Sequence, residues 1–384
     1  MSRIKKFVKC SLMLVAGSIV LLAGFGWWFM SLLSTPNSSS ENLKDVFPSS
    51  LPYLTDNPVQ NRGKILAVVT STASFPTTGK KTGYELTELA QAYYVFVANG
   101  FEVDIASTRG GEPQMVLDDE DMTEYDYAFL KDTLAMRKAK GTIAMENVLL
   151  EEYEAIYFVG GKGAMFDFPD HKSIQKAVKI YHEQGKIIGA VCHGPAALVN
   201  VKLTDGTPYL KGRKVSSFTN REELFLIKEA QVIFPFMLQD KLIENGALYS
   251  EGAMYLENVI SDGTLVTGQN PWSTWVVAET MVTRLGYELK KREKTAAENA
   301  VLILNAYEKR GYGKAKQMIE ELSSGEKQVI SRDLIAMHAL VAAMQWEISK
   351  GFEIIGLLRH VKTTSKERPT ETVHLSVSAN FTNR

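Results

Sequence analysis

Four short strand patterns, separated by helical patterns, constrain the fold of this chain more than any other feature. They occupy residues 65–69, 102–106, 155–159 and 187–191. Apolar side chains with helical spacing fill residues 84–99 and 173–184, and a glycine follows soon after each segment. Strands that alternate with helices are typical of a parallel sheet with helices on both faces. We therefore predict an α/β fold built on a parallel sheet.

The N-terminal region has the pattern of a membrane anchor. Residues 1–9 carry four basic side chains, and residues 10–33 contain no charged residue. A helix over residues 10–33 would reach about 36 Å, enough to cross the hydrocarbon core of a bilayer. Because basic flanks stay in the cytoplasm, the pattern predicts a single-pass membrane protein with a cytoplasmic N-terminus. The rest of the chain would be extracytoplasmic, or periplasmic in a Gram-negative cell; a cleaved signal peptide is the alternative.

Changes in composition mark the other segment boundaries. Residues 34–62 are rich in Ser, Pro and Asn, which is typical of a linker. Residues 63–287 hold the alternating strands and helices, with a polar insertion at 118–145 that we expect to form a helical cap. Residues 288–362 lack strand patterns and predict a helical appendage. Residues 363–384 are polar, and we expect them to be disordered.

Later patterns complete the expected α/β domain. Short runs at 214–218, 258–260 and 264–266 predict further strands, and residues 272–285 predict a closing helix. The charged run at 290–294 is interpreted as the solvated start of the first helix of the appendage.

Overall charge and cysteine content exclude several classes of protein. Lys and Arg total 43 against 44 for Asp and Glu, so the net charge is −1. A nucleic-acid-binding protein would normally carry a basic surplus, so we expect no nucleic-acid partner. Two cysteines exclude a disulfide scaffold and a cysteine-rich zinc module. No HExxH or CxxC spacing is present, so we expect no metal site.

The segment around Cys192 is the strongest candidate for chemistry. An apolar strand pattern ends at Cys192, and His193, Gly194, Pro195 and small residues follow. This is the layout of a nucleophile elbow, in which a tight turn presents the reactive atom at the end of a strand. A helix starting after the turn would lower the pKa of the thiol. A buried structural cysteine is the alternative interpretation.

Residues of roughly 64–285 resemble the DJ-one/PfpI (ThiJ) superfamily, within the class I glutamine amidotransferase-like fold, and in particular its Hsp-type glyoxalase III and chaperone branch. The resemblance is carried by segments in the order 81–83 with Glu88, 100–104, 160–163 with 166–169, 190–195, 217–220 and 267–271. It implies a flavodoxin-like sandwich and an activity that needs no cofactor. The N-terminal and C-terminal segments fall outside it.

The resemblance also implies roles for individual residues. Cys192 would be the nucleophile, with His193 as its base and Glu223 as the acid that orients the imidazole. Glu88 would hydrogen-bond the nucleophile and move protons. Backbone N–H groups of Gly161 and His193 would hold an oxyanion.

Three points stay open at the level of sequence. Glu222 is adjacent to Glu223, so the acid could be displaced by one residue. Spacing alone would make Glu85 and Glu88 solvated helix residues. Lys162 stands where close relatives often carry His, and its charge either stabilises an anion or faces water.

The function implied by the resemblance is that of a glyoxalase III-like lyase. A membrane-anchored thiol enzyme would convert 2-oxoaldehydes such as methylglyoxal into 2-hydroxy acids without a cofactor. A cysteine-dependent amidase, peptidase or protein deglycase is one alternative. A non-catalytic chaperone or redox stress sensor is another. The expected partners are a small aldehyde substrate, a second copy of the chain in a homodimer, and a protein that binds the C-terminal helices.

Overall fold

Strands and helices alternate through the computed structural model, which describes residues 23–33, 43–118, 122–324 and 328–366. The chain divides into two compact units, one at residues 35–301 and the other formed by residues 1–34 with 302–384. All strands that the structure describes belong to the larger unit. Residues 43–62 and 288–301, which the sequence assigns to a linker and to the appendage, also belong to that unit.

Seven strands form the central sheet of the larger unit. They are β1 (Lys64–Val69), β2 (Glu102–Ser107), β3 (Ile143–Ala144), β4 (Ala155–Phe158), β5 (Ile187–Val191), β6 (Val259–Asp262) and β7 (Leu265–Gly268). Their order across the sheet is β6–β7–β5–β4–β1–β2–β3. The predicted run at 214–218 contributes only Lys214–Val215, which pairs with Leu248–Tyr249 outside this sheet. Tyr84–Glu85 and Met115–Val116 form another separate pair.

The sheet is mixed, so the prediction of a parallel sheet is wrong at one edge. β6 and β7 are antiparallel, and Asp262 pairs with Leu265. A parallel connection needs a dozen or more residues, so strands separated by only Gly263 and Thr264 can pair only as a hairpin. Gly263 takes a φ of +62°, as a tight hairpin turn requires. The other neighbouring strands are parallel, and the flavodoxin-like α/β arrangement is as predicted.

Besides the helical residues 23–30, eleven helices of seven or more residues are present among the described residues. They are α1 (Leu86–Ala98), α2 (Glu124–Lys131), α3 (Thr133–Lys140), α4 (Lys172–Glu183), α5 (Asn220–Leu226), α6 (Leu238–Glu244), α7 (Thr274–Arg284), α8 (Ala296–Arg310), α9 (Tyr312–Ser324), α10 (Arg332–Met344) and α11 (Ile348–Lys366). The polar insertion forms α2 and α3, so the expected helical segment is present. The helices predicted at 84–99, 173–184 and 272–285 correspond to α1, α4 and α7.

Alternate residues of β1 enter the two cores on opposite faces of the sheet. Ile65 and Val69 belong to the cluster that includes α1 and α7. Leu66 and Val68 belong to the cluster that includes α4. Because successive strand side chains point to opposite faces, a continuous apolar run of this kind requires a sheet covered on both sides. The core thereby fixes the ends of the central strands.

The segment predicted as a linker contributes to this core. Leu51 and Tyr53 are buried in the cluster on the α1 face. The Asn99 side chain donates a hydrogen bond from Nδ2 to the Tyr53 hydroxyl at 3.0 Å. The Asn99 carbonyl Oδ1 accepts from the backbone N–H of Lys290 at 2.8 Å. One buried amide therefore connects the segments before β1 and after α7.

Arg292 lies inside the larger unit and not in a solvated helix start, contrary to the sequence interpretation. Its side chain is 4% exposed and pairs with Glu279 at 2.8 Å and Glu298 at 2.6 Å. The guanidinium also lies over the Trp275 ring, 3.9 Å from its centroid. A guanidinium can satisfy two carboxylates and an aromatic face at once.

Replacing Arg292 by Met should lower the free energy of unfolding by about 3–5 kcal/mol, because it leaves two mostly buried carboxylates without their cation. Chemical denaturation of the full chain measures this loss. Adding Glu279→Gln and Glu298→Gln to the Arg292→Met variant should recover part of it. The exposed Arg284→Met variant is the matched control and should change stability by less than about 0.5 kcal/mol. An Arg292→Met variant as stable as this control would contradict the prediction.

The smaller unit contains a helical array. α10 packs against α11, and Leu334, Ile335, Leu357 and Leu358 are buried. Gly356 lets α11 approach α9, because a Cβ there would lie 2.9 Å from the Tyr312 hydroxyl oxygen. α11 continues to Lys366, so residues 363–366 are helical where disorder was expected. Residues 367–384 lie outside the described residues.

The predicted membrane anchor is wrong. Within the described ranges, no helix has the length and apolar character needed to cross a membrane. The part of the predicted anchor that the structure describes is helical at residues 23–30. Residues 10–22 of the predicted anchor lie outside the described residues. The predicted single-pass topology and extracytoplasmic location depended on this anchor and are wrong with it.

Candidate active site

The carboxyl ends of three neighbouring strands meet at the candidate site. β4 pairs with β5, and β5 pairs with β7, both in parallel. Cys192 and His193 follow β5, the glycine turn 160–163 follows β4, and Gln269 and Asn270 follow β7. Parallel strands bring the residues after their carboxyl ends to one edge of the sheet, where ligands bind in open α/β sheets.

Cys192 occupies a strained turn. Its φ is +58°, a left-handed conformation that a side chain other than glycine rarely adopts. Its backbone N–H donates to the Gly268 carbonyl at 3.0 Å, and its carbonyl accepts from the Phe218 N–H at 2.9 Å. Gly194 follows, where a Cβ would clash with the Phe158 carbonyl. These contacts hold the thiol at the tip of an elbow.

His193 connects the thiol to a carboxylate. Its Nδ1 lies 3.2 Å from Cys192 Sγ, and its Nε2 lies 2.6 Å from Glu223 Oε2. The imidazole packs beside the Phe218 ring at a centroid distance of 4.8 Å and is 1% exposed. With Nε2–H donating to Glu223, Nδ1 presents its lone pair to the sulfur. This arrangement can accept and return the thiol proton.

Glu222 points away from His193, which resolves the choice between the two glutamates in favour of Glu223. The buried Glu222 carboxylate accepts from the Thr219 N–H and hydroxyl, each at 3.0 Å. Its other oxygen accepts from the Tyr255 N–H at 2.7 Å and from the side-chain amides of Gln269 and Asn270 at 3.0 and 2.9 Å. Five donors hold the Glu222 carboxylate, and the two amides among them anchor α5, which carries the acid, to the end of β7.

Glu88 approaches the thiol from the first turn of α1. It is fully buried, and its Oε2 accepts from the Gly160 N–H at 2.7 Å. Its Oε1 has no hydrogen-bond partner among the described residues. The Tyr157 hydroxyl donates to the Glu88 backbone carbonyl at 2.9 Å. These contacts fix the backbone and one carboxyl oxygen and leave the other oxygen available.

Burial dominates the electrostatics of the Cys192–Glu88 pair. It raises the pKa of the Glu88 carboxyl well above its usual range, and the nearby Glu85 raises it further. It also raises the pKa of the Cys192 thiol, and the negative charge of Glu88 adds to that effect. The expected lowering of the thiol pKa is therefore wrong. The helix expected after the elbow is only a five-residue 3₁₀ segment, Gly194–Leu198, which supplies little dipole.

The glycine turn after β4 packs directly on the nucleophile. A Cβ on Gly160 would lie 2.8 Å from Cys192 Cβ. Gly161 is buried with a φ of +99°, and a Cβ there would lie 2.7 Å from Tyr84 Cα. Only glycine fits this approach. Gly161 and His193, predicted to hold an oxyanion, thus follow the ends of adjacent strands.

A sequence model of the DJ-1/PfpI family matches residues 80–284, more than half of the chain. The chain belongs to the DJ-1/PfpI family. The matched range covers the glycine turn, the elbow and the glutamates described above. The family membership inferred from the sequence motifs is therefore confirmed.

Curated relatives within the DJ-1/PfpI family include named glyoxalases. Glyoxalase 3 of Candida albicans is 29% identical over 232 residues, which cover 57% of this chain and 96% of the relative. Glutathione-independent glyoxalase HSP31 of Saccharomyces cerevisiae is 31% identical over 227 residues, covering 54% and 92%.

Solved structures agree with this assignment. The Rapid Encystment Protein 24 KDa of Francisella tularensis has a TM-score of 0.55 and 34% identity, over 58% of this chain and 99% of that one. Glyoxalase III of Candida albicans has a TM-score of 0.51 and 26% identity, over 58% and 97%. The DJ-1/PfpI fold therefore occupies the α/β part of this chain.

Three side chains contribute to the DJ-1/PfpI site although they were not assigned to it from the sequence. The amides of Gln269 and Asn270 anchor Glu222, and the Tyr157 hydroxyl holds the start of α1. The Gln269–Asn270 pair lies within a motif used for the resemblance, which was the available signal. Tyr157 sits in an apolar strand, where nothing in the sequence distinguishes it from core. Among the described residues, no group of His, Cys, Asp and Glu side chains is placed to hold a metal ion.

Proposed function

We propose that the Cys192 site converts 2-oxoaldehydes such as methylglyoxal into 2-hydroxy acids, with no external thiol and no cofactor. The observation that carries this proposal is the placement of Glu88, a buried carboxyl fixed through one oxygen beside the thiol. A hydrolase needs only a nucleophile and its base, whereas moving hydrogen between adjacent carbons needs a second base of this kind. The names of the curated relatives support the same activity.

The reaction would begin with thiol addition. His193 Nδ1, 3.2 Å from the sulfur, takes the thiol proton as Sγ attacks the aldehyde carbon. The oxyanion that forms lies near the N–H groups of Gly161 and His193 and takes the proton back from the imidazole. The product of this step is a hemithioacetal, and Glu223 stabilises the transient imidazolium.

Glu88 would then move hydrogen between the two carbons. Its carboxylate removes the hydrogen from the carbon that carries sulfur, and the electron pair forms a C=C bond while the ketone oxygen becomes an enediolate oxygen. The carboxylic acid next delivers its proton to the second carbon. Meanwhile the hydroxyl on the first carbon loses its proton to the enediolate oxygen through His193, which gives a thioester. Because burial raises the pKa of Glu88, its carboxylate is a stronger base than an exposed one.

Hydrolysis would complete the cycle. His193 accepts a proton from water as the water oxygen attacks the thioester carbon. The sulfur leaves and takes up a proton from the imidazolium, which restores the thiol. For methylglyoxal the product is lactate, and no electron donor or acceptor is consumed.

Methylglyoxal turnover by the purified full chain in D₂O, without glutathione, tests the proposal. We expect lactate well above a protein-free blank, with deuterium at C2 because a carboxylic acid can exchange its proton with solvent before delivering it. Added glutathione should not raise the rate. Absence of lactate would overturn the proposed function. Deuterium at C2 would exclude a direct hydride shift between the two carbons, because hydrogen that moves as a hydride does not exchange with solvent.

A cysteine hydrolase is the second candidate, and the 2.6 Å contact between His193 and Glu223 favours it. The same thiol attack on an amide or ester carbonyl would give an acyl-enzyme without help from Glu88. Turnover of a small amide or ester that survives Glu88→Gln would support this alternative. The homodimer, the protein partner of the C-terminal helices and the domain boundaries predicted from the sequence remain predictions.

A further inference from the structure

Lys162 is held beside the nucleophile by a turn that has no other side chain. It lies between Gly161 and Gly163, two residues after the glycine that packs on Cys192. A Cβ on Gly163 would lie 2.7 Å from Thr70 Cγ2, so the backbone is closely packed on both sides of Lys162. The side chain itself is half-buried. The backbone from which it extends is therefore fixed in the turn that packs on Cys192.

The ammonium of Lys162 is not paired with a single carboxylate among the described residues. In the part of the chain that the structure describes, no carboxylate forms a direct ion pair with it. Burial lowers the pKa of Lys162, but the surrounding charges of Glu85, Glu223 and Cys192 outweigh burial, so its pKa is raised. The side chain is thus protonated across the neutral range.

Glu85 offsets this charge only in part at neutral pH. Burial raises the pKa of its carboxyl to about 7, against the opposing effect of Lys162. The carboxyl is therefore only partly ionised near pH 7. Glu223 is already hydrogen-bonded to His193 at 2.6 Å. The positive charge of Lys162 therefore acts on the thiol of Cys192, with which it interacts electrostatically, without a dedicated counter-ion in the described part of the chain.

We propose that Lys162 is a specificity-determining residue whose ammonium binds an oxygen anion on the carbon next to the one attacked by the Cys192 sulfur. Its substrate consequence rests on the proposed function, in which the ketone oxygen becomes negatively charged when Glu88 removes hydrogen from the adjacent carbon. Because the ketone oxygen becomes negative only during this step, an ammonium placed beside it stabilises the transition state more than the ground state. The site would therefore favour 1,2-dicarbonyl compounds over aldehydes without a second oxygen.

Two alkylating reagents test this inference independently of turnover. Iodoacetate and iodoacetamide are both attacked at a CH₂ carbon with loss of iodide, but the adjacent carbon carries a carboxylate in one and a neutral amide in the other. The ratio of their rates at Cys192, followed by mass spectrometry, cancels any change in the thiolate fraction. Lys162→Met should lower the iodoacetate-to-iodoacetamide ratio about tenfold. Lys162→Arg should keep the ratio within about threefold of wild type because the charge remains.

Lys176→Met is the matched control, since Lys176 is exposed on α4, and its ratio should equal that of wild type. Circular dichroism checks folding, and Lys162→Gln replaces Lys162→Met if the latter is unfolded. An unchanged ratio in the neutral variant overturns the inference even where lactate forms. A lowered ratio in a protein that forms no lactate overturns the proposed function but keeps Lys162 beside the sulfur. Where lactate forms, kcat of Lys162→Met should fall about 10²-fold.

Discussion

Replacing Cys192 by Ala should reduce methylglyoxal turnover by about 10⁴-fold or more, to the rate of a protein-free solution, because the atom that binds the aldehyde carbon is lost. Folding should be retained. The side chain is 3% exposed and small, and Ala accepts the same left-handed backbone with the same strain. Lactate formation, followed alongside thermal unfolding, measures both effects on one preparation.

The sequence offers a matched control, because Cys10 is the other cysteine of the chain. Cys10→Ala should turn over methylglyoxal at the wild-type rate. Cys192→Ser should be nearly as inactive as Cys192→Ala, since a hydroxyl is a far weaker nucleophile than a thiolate near neutral pH. Substantial activity in a folded Cys192→Ala variant would remove the thiol from the mechanism.

Local patterns predicted the parts of this fold that local physics determines. The runs that became β1, β4 and β5 are apolar on both faces, and that pattern is typical of a strand covered by helices on both sides. The strand that became β6 was predicted, but its antiparallel direction was missed, because only the short separation from β7 shows that a crossover cannot form. The burial of Arg292 was missed because a run of charges looks the same whether its partners are water or distant carboxylates such as Glu279.

The candidate site was predictable where residues are adjacent in sequence and less so where they meet through the fold. Cys192 and His193 are adjacent in one motif that is recognisable from the sequence alone. Glu223 could be separated from Glu222 only by seeing which carboxylate turns towards the imidazole and which is held by Gln269 and its neighbours. The expected lowering of the thiol pKa failed for a similar reason. The prediction considered only the dipole of a helix following Cys192 in the chain. It did not include burial of the thiol or the Glu88 carboxyl, which α1 places beside it.

Replacing Glu88 by Gln should lower kcat for methylglyoxal by about 10²- to 10⁴-fold, because the amide keeps the size of the side chain but cannot take a proton from carbon. KM should change little, since the substrate is bound through the sulfur. Alkylation of Cys192 should change in the opposite direction. The Glu88 carboxylate raises the pKa of the thiol, so removing its charge should shift the midpoint of the alkylation rate to lower pH.

The unfolding transition distinguishes proton transfer from a loss of structure. A misfolded Glu88→Gln variant would also lose turnover and alkylate at lower pH, because its thiol would titrate at about 8.5, the value of an unperturbed cysteine, but its unfolding transition would be lost. Glu151→Gln on the surface is the matched control and should change neither measurement. Wild-type turnover in Glu88→Gln would show that another group moves the hydrogen between the two carbons. Reduced turnover with faster thiol alkylation, in a variant that keeps the wild-type unfolding transition, is the result expected of a base beside the sulfur, because the same carboxylate that suppresses the thiolate is then needed after the sulfur has reacted.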